Sequence, residues 1–194
     1  MHIHTRFSPC SAIRIAQLFK RVREKGIDGI CITDHDTIAC SSVLKTRADH
    51  MGIFVLVGME YTTSKGDFLI FGHIDDIPKG MDAERLLHWM KKEGGVAIPA
   101  HPFRKERPVD FEIIQASKII EGLNGRNNPY ENELCRQWIH QHGNGIRQTG
   151  GSDAHTLDEV GRIVTVFKKN IYTLEDFIEE LCYGNYSPMR RYPF

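Results

Sequence analysis

Two observations predict an α/β fold with a largely parallel sheet. Short β-rich runs alternate with amphipathic helical patterns over most of the chain, and 194 residues suit one domain, spanning 1–194, around a single sizeable core. The first helix is read from Ile15, Leu18, Phe19 and Val22, which repeat at i, i+3, i+4 and i+7, with Ser11 as its N-cap and Gly26 as its stop. "DGICIT" reads as a buried strand, 38–51 as a helical stretch, and "IFVLVGMEYTT" as a second strand. "GDFLIFGHI" follows closely enough to pair with it as an edge hairpin. Asp82 caps a helix in "AERLLHWMKKEGG" whose Leu86, Leu87 and Met90 face inward, and Gly94 or Gly95 ends it. "VAIPA" and "KIIEGLN" are further strands. Pro129 sits near the first turn of a helix running through Leu134 and Trp138 to a stop at Gly143. "GIRQTGG", "RIVTVF" and a capping-box helix, with Thr173 as cap and Asp176 three residues on, complete the series.

Composition excludes several classes. Lys+Arg and Asp+Glu both total 25, so no net charge draws the chain to nucleic acid or to an anionic membrane, and no extended nucleic-acid surface is expected. Five scattered cysteines without a C-x-x-C pair argue against a disulfide framework and against a cysteine-built zinc knuckle, which fits a reducing, cytoplasmic setting. No apolar run approaches the roughly 20 residues of a membrane span, and no leader pattern precedes His2. The composition leaves oligomeric state open.

The strand ends carry the chemistry. "MHIHT" spaces His2 and His4 so that both face one side of a strand. "GICIT" runs into Asp34, His35 and Asp36, "FVLVGM" into Glu60, "VAIPA" into His101, and "GIRQTGG" into Ser152, Asp153, Ala154 and His155. In a parallel α/β barrel such ends open on one face, so these donors converge. Each has a plain alternative: a turn with a cap at His35, an exposed charge at Glu60, a strand exit at His101-Pro102, a glycine turn at "GSDAH". Together they point to a metal centre, because convergence of His, Asp and Glu on successive strand ends is not a general habit of histidines.

H-x-H, T-D-H-D, G-x-E, H-P and G-S-D-A-H, in that order, resemble the polymerase and histidinol phosphatase (PHP) superfamily, from His2 to about Val166. The resemblance implies a distorted (β/α)7 barrel with two or three divalent ions, Zn, Mn or Fe. It implies that His2, His4, Glu60 and Asp153 hold one ion, that Glu60 bridges to a second held by His101, and that His35 and His155 serve a third site or complete the second. Related amidohydrolases use a bridging lysine; none stands at the end of "VAIPAHP". The chain departs from the family at Pro9, where an aspartate or histidine is usual, so the third ion is absent, weak, or dependent on water or Cys10. Where many relatives place a histidine after the bridging glutamate, Asp67 is a better match in register than His73.

Nitrogen and carboxylate donors around a carboxylate bridge suit ions about 3.5–4 Å apart that bring the pKa of a bound water towards neutrality, and hydrolysis of a phosphate ester is the natural reaction. Ser152 lacks the G-x-S-x-G elbow of a nucleophile. Asp34 and Asp36 are the candidates to orient His35 or to shuttle a proton. Arg104, three residues after His101, and Arg126, in "NGRNN", are candidates to bind substrate phosphate, with Lys105 and Arg107 nearby. The expected substrate is a small phosphomonoester or a short nucleotide. The alternative is a metal-stabilised accessory domain that no longer turns over, which Pro9 favours.

Overall fold

The computed structural model describes residues 1–45, 52–142 and 145–191. Its elements are α1 (Ile15–Glu24), β1 (Gly29–Ile32), α2 (Cys40–Lys45), β2 (Phe54–Val57), β3 (Met59–Thr63), β4 (Gly66–Phe71), α3 (Ala83–Lys92) and β5 (Val96–Pro99). They continue with α4 (Phe111–Ala116), β6 (Ile119–Asn124), α5 (Pro129–His142), β7 (Arg147–Gly151), β8 (Ile163–Phe167), α6 (Leu174–Tyr183) and β9 (Tyr186–Arg190). The chain is thus a mixed α/β fold. The helix expected over 38–51 is α2 in its described part; its remainder, and the Gly143 stop, lie outside the described residues.

Among the described residues the strands form four small sheets, β1-β2, β3-β4-β5, β6-β7 and β8-β9, and no closed ladder runs around a barrel. The sheets are also less parallel than expected. β1-β2 and β6-β7 are parallel, whereas β3-β4, β4-β5 and β8-β9 are antiparallel. Of these, β3-β4 is the expected hairpin, closed by a two-residue connection between Thr63 and Gly66, where Gly66 takes φ +117°. β4, however, is not an edge strand. It lies between β3 and β5, with Phe68 and Ile70 in one apolar cluster beside α3, α4 and α5, and Leu69 and Phe71 in another beside α6. An apolar run without alternation is what burial on both faces requires.

A third cluster joins Ile15, Leu18, Phe19 and Val22 of α1 to Ile3, Ile30 and Ile32. Ser11 does not cap α1. Arg14 occupies that position without a side-chain bond, and the Ser11 hydroxyl instead donates to the carbonyls of His4 and His155, at 2.8 and 3.2 Å. Asp82 caps α3 by accepting from the Arg85 N–H, and Thr173 and Asp176 form the expected capping box on α6. Helix α4 and strand β9 were not anticipated: the first has only six residues, and the second carries Pro188, which is tolerated because β9 is the outer strand of its pair. No described helix is long and apolar enough to cross a membrane.

The segment carrying His2 and His4 sits between two strand ends. Ile3 bridges Ala154, just past β7, and its carbonyl accepts from the Thr33 N–H, just past β1, at 2.8 Å. On the other side of β1, His35 bridges Glu60 in β3. These single bridges bring the exits of β1 and β7, the His2–His4 segment and the start of β3 together.

Candidate metal centre

The donors meet over one carboxylate. His2 Nε2, His4 Nε2 and His35 Nδ1 lie 3.2, 3.0 and 3.4 Å from Glu60 Oε2, while His101 Nε2 lies 2.9 Å from Glu60 Oε1. Asp153 Oδ1 stands 3.5 Å from the ring nitrogens of His2, His4 and His155. His2, His4, Glu60, His101 and Asp153 are all buried. His35 and His155 are partly open to solvent, so the cluster has a dry floor and an accessible rim.

The backbone is forced to deliver these side chains. His2, His101 and Asp153 have φ of 61°, 33° and 50°, and Asp36 has 51°, the left-handed region that residues with a side chain seldom enter. Gly151 serves the same end by size. A Cβ there would meet the Glu121 carboxylate and come within 2.6 Å of His2 Cβ.

Electrostatics divides the cluster in two. Burial alone would raise Glu60, yet His2, His101 and His4 hold its carboxyl well below the usual carboxylate range. Asp153 behaves likewise, with Arg104 contributing. For His2, burial is outweighed by Asp153, Glu121 and Glu60, so its pKa rises well above the ordinary value; His4 is raised against burial by its bonds to Asp153 and Glu60. His35 and His155 are lowered, chiefly by burial and also by neighbouring imidazoles and by Arg107 and Arg126 respectively. Asp67 is pushed up to about 6 by burial and by Glu60, against the pull of Arg107.

These residues fit divalent cations. Three ring nitrogens crowd one carboxylate oxygen, and among the described residues His101 Nδ1 and Asp67 Oδ2 are buried without a hydrogen-bond partner. Two sets have donor atoms that all lie within 4.8 Å of one another and consist of nitrogen and oxygen only: His2, Glu60 and His101, and His2, His4 and Asp153. A third set joins His4, His35 and His155 to Cys10. Glu60 presents one oxygen to each side, as a bridging carboxylate would.

Comparison with known proteins fits this geometry. The family described as PHP-associated matches residues 129–185, which include the Asp153 and His155 strand exit. The fold is similar to three solved structures: PsfC of Pseudomonas syringae (TM-score 0.78, 17% identity, 98% of this chain and 90% of that one), a Bifidobacterium adolescentis protein described as a candidate metal-dependent phosphoesterase (0.66, 18%, 95% and 95%), and a Chromobacterium violaceum amidohydrolase with bound sulfate (0.59, 14%, 79% and 86%).

The family match over 129–185 and the likeness in fold support the resemblance to the PHP superfamily.

Two uncharacterized proteins of Methanocaldococcus jannaschii are also similar to this chain. One is 33% identical over 113 residues, 53% of the chain and 66% of the relative; the other is 25% identical over 180 residues, 87% and 70%. The first match therefore spans just under two thirds of its relative.

Around the donor cluster, the remaining expected residues fall in distinct places. Asp34 is fully buried and faces the first loop: its carboxylate accepts from the Thr5 N–H (2.6 Å), the Thr5 hydroxyl (2.7 Å) and the Ser8 hydroxyl (2.8 Å). Asp36 is exposed and accepts from the Thr62 N–H at 2.9 Å. Arg104 donates from Nη2 to Asp153 Oδ2 (2.7 Å) and Asn124 Oδ1 (2.9 Å), and from Nε to Asn127 Oδ1 (2.9 Å). Arg126 is exposed, and its charge is felt at Cys10 and His155. Arg107 donates to Asp67 Oδ1 at 2.7 Å, and His73 belongs to none of the donor sets.

Glu121 was not anticipated. It stands in the middle of β6, accepts from His2 Nδ1 at 2.9 Å with one oxygen and from the His101 N–H at 2.8 Å with the other. A charge inside the apolar run "KIIEGLN" is the signal that marks it, since a buried carboxylate needs partners.

Proposed function

We propose that this chain is a metal-dependent phosphoesterase acting on a small phosphomonoester or a short nucleotide. The observation that carries the reading is the division of Glu60, with Oε2 towards His2, His4 and His35 and Oε1 towards His101. Divalent ions, when bound there, supply activated water and neutralise charge on a transferring phosphoryl group. The chain's own residues do the rest. Glu121 fixes the ring of His2 so that Nε2 faces the centre, and it fixes the backbone of His101. Arg104 steadies Asp153 from outside; among the described residues its Nη1 carries no hydrogen bond and is the donor we assign to substrate phosphate. Arg126 and Arg107 extend positive charge along the rim. Asp34 acts by holding the loop that follows His4, and Asp36 by holding the turn after His35.

The same reading takes residues 1–194 as one domain and the small sheets as arcs of a distorted seven-stranded barrel. Bridges link Ile3 to Ala154 and His35 to Glu60, β3-β4-β5 continue the circuit, and the Glu121 carboxylate joins the end of β5 to β6, which pairs with β7. All five cysteines are free, which supports a reducing cytoplasmic setting.

Phosphate release from a panel of phosphomonoesters and short oligonucleotides, with and without added Mn²⁺, tests the proposal. Turnover that depends on the ion and is lost in Glu60→Gln is expected. A fully loaded protein that hydrolyses nothing would leave the accessory-domain reading in its place.

A further inference from the structure

We propose that Cys10 is a metal ligand, and that its thiolate with His35 and His155 forms a thiophilic ion site at the mouth of the centre. This rests on the reading of the neighbouring residues as a metal centre. Donor atoms of Cys10, His4, His35 and His155 all lie within 4.8 Å of one another, and among the described residues no other cysteine belongs to such a set. His4 Nε2 is 3.0 Å from Glu60 Oε2 and 3.5 Å from Asp153 Oδ1, so His4 is engaged with the inner cluster. Two imidazoles and one sulfur remain for the outer ion, with an open position towards solvent, since Cys10 is exposed and His35 and His155 are partly so.

Cys10 does not reach this place by chance, because the loop is tied to every other donor segment on both sides of it. Before it, the Ser8 hydroxyl donates to Asp34 Oδ1 at 2.8 Å and accepts from the His35 N–H at 2.9 Å. After it, the Ser11 hydroxyl reaches the carbonyls of His4 and His155. Between them the Ser11 N–H closes a turn on the Ser8 carbonyl at 3.1 Å, and Pro9 limits the backbone freedom of that turn. Cys31, Cys40 and Cys135, by contrast, are buried among apolar side chains.

A thiolate changes which ion the site prefers. Sulfur selects zinc, iron or cobalt over manganese and magnesium, which favour oxygen. Zn–S and Zn–N distances of about 2.3 and 2.0–2.1 Å need only small side-chain shifts from the separations present.

Titration of the metal-free chain with Co²⁺, read by absorbance and by competition with a chelator, tests the assignment. A sulfur-to-cobalt charge-transfer band is expected to grow in with the last ion bound. Cys10→Ser should lose that band and weaken that ion, while the inner ions stay. In the native sequence, a thiol reagent should modify Cys10 more slowly once Zn²⁺ is bound. Cobalt bound to saturation without the band, or Cys10 equally reactive with and without zinc, would overturn the thiolate ligand and leave the inner centre standing. No tight binding of any ion would overturn both.

Discussion

His2 Nδ1 and Glu121 Oε1 lie 2.9 Å apart, both side chains fully buried, with 118 residues of chain between them. The contact leaves only the other ring nitrogen of His2 to face the centre, and it uses a carboxylate that also grips the backbone of His101. Glu121→Gln keeps an acceptor but removes the charge that polarises the ring. Metal affinity should fall by about 10–100-fold, with the fold kept, as read by chelator competition and circular dichroism. Unchanged affinity would mean that Glu121 serves packing alone.

Gly151→Ala should do similar damage by another route. The added Cβ meets the Glu121 carboxylate and His2 Cβ, so the pair must part. A chain that is folded yet poor in metal is the expected outcome, and normal metal content would show that the pair can shift as a unit.

Purified protein should hold about two tightly bound transition-metal ions per chain, and His4→Ala should lose at least one, because His4 belongs to two of the three donor sets. Elemental analysis reads both.

Metal affinity should rise with pH. His2 and His4 have raised pKa values, so in the metal-free chain they keep their protons above the usual imidazole range, and a cation must displace them. His35 and His155 are lowered and are already neutral near pH 7. Calorimetry in buffers of different ionisation enthalpy should therefore find proton release with the inner ions, diminishing as pH climbs through the raised values. Proton uptake on binding would contradict the assignment.

Arg104→Ala should slow phosphate-ester turnover. Because Arg104 also holds Asp153 at 2.7 Å, a modest loss of metal affinity should accompany it. Kinetics at saturating metal separate the two effects; full activity there would return Arg104 to support of Asp153 alone.

Much of this centre is legible in the sequence because strand exits are local events. An apolar run followed at once by His, Asp or Glu reveals a donor at a strand end without knowledge of its partners, as for His35, Glu60, His101, Asp153 and His155, while His2 and His4 are legible from their period-two spacing. Glu121 was hidden because it sits inside a strand, where its meaning depends on His2 and His101 far along the chain. The central place of β4 was missed because a hairpin does not say which strand pairs with its other side. Ser11 resembled a cap because a hydroxyl before a helix usually is one, whereas here it ties a loop to two carbonyls.

The bridge between Ile3 and Ala154 fixes the order in which the centre can come into being. One proposed ion takes donors from residues 2, 4 and 153, so the chain must be made and folded through Asp153 before those three can meet. Closing so long a loop carries an entropic cost and slows folding, compared with a site built from neighbouring turns. The set of His2, Glu60 and His101 needs only the chain up to residue 101. Uptake of the proposed ion at His2, His4 and Asp153 is thus expected to come late, as a report that the last β7 contacts have formed, and a truncation before Asp153 would leave the N-terminal histidines without that carboxylate however well the first strands fold.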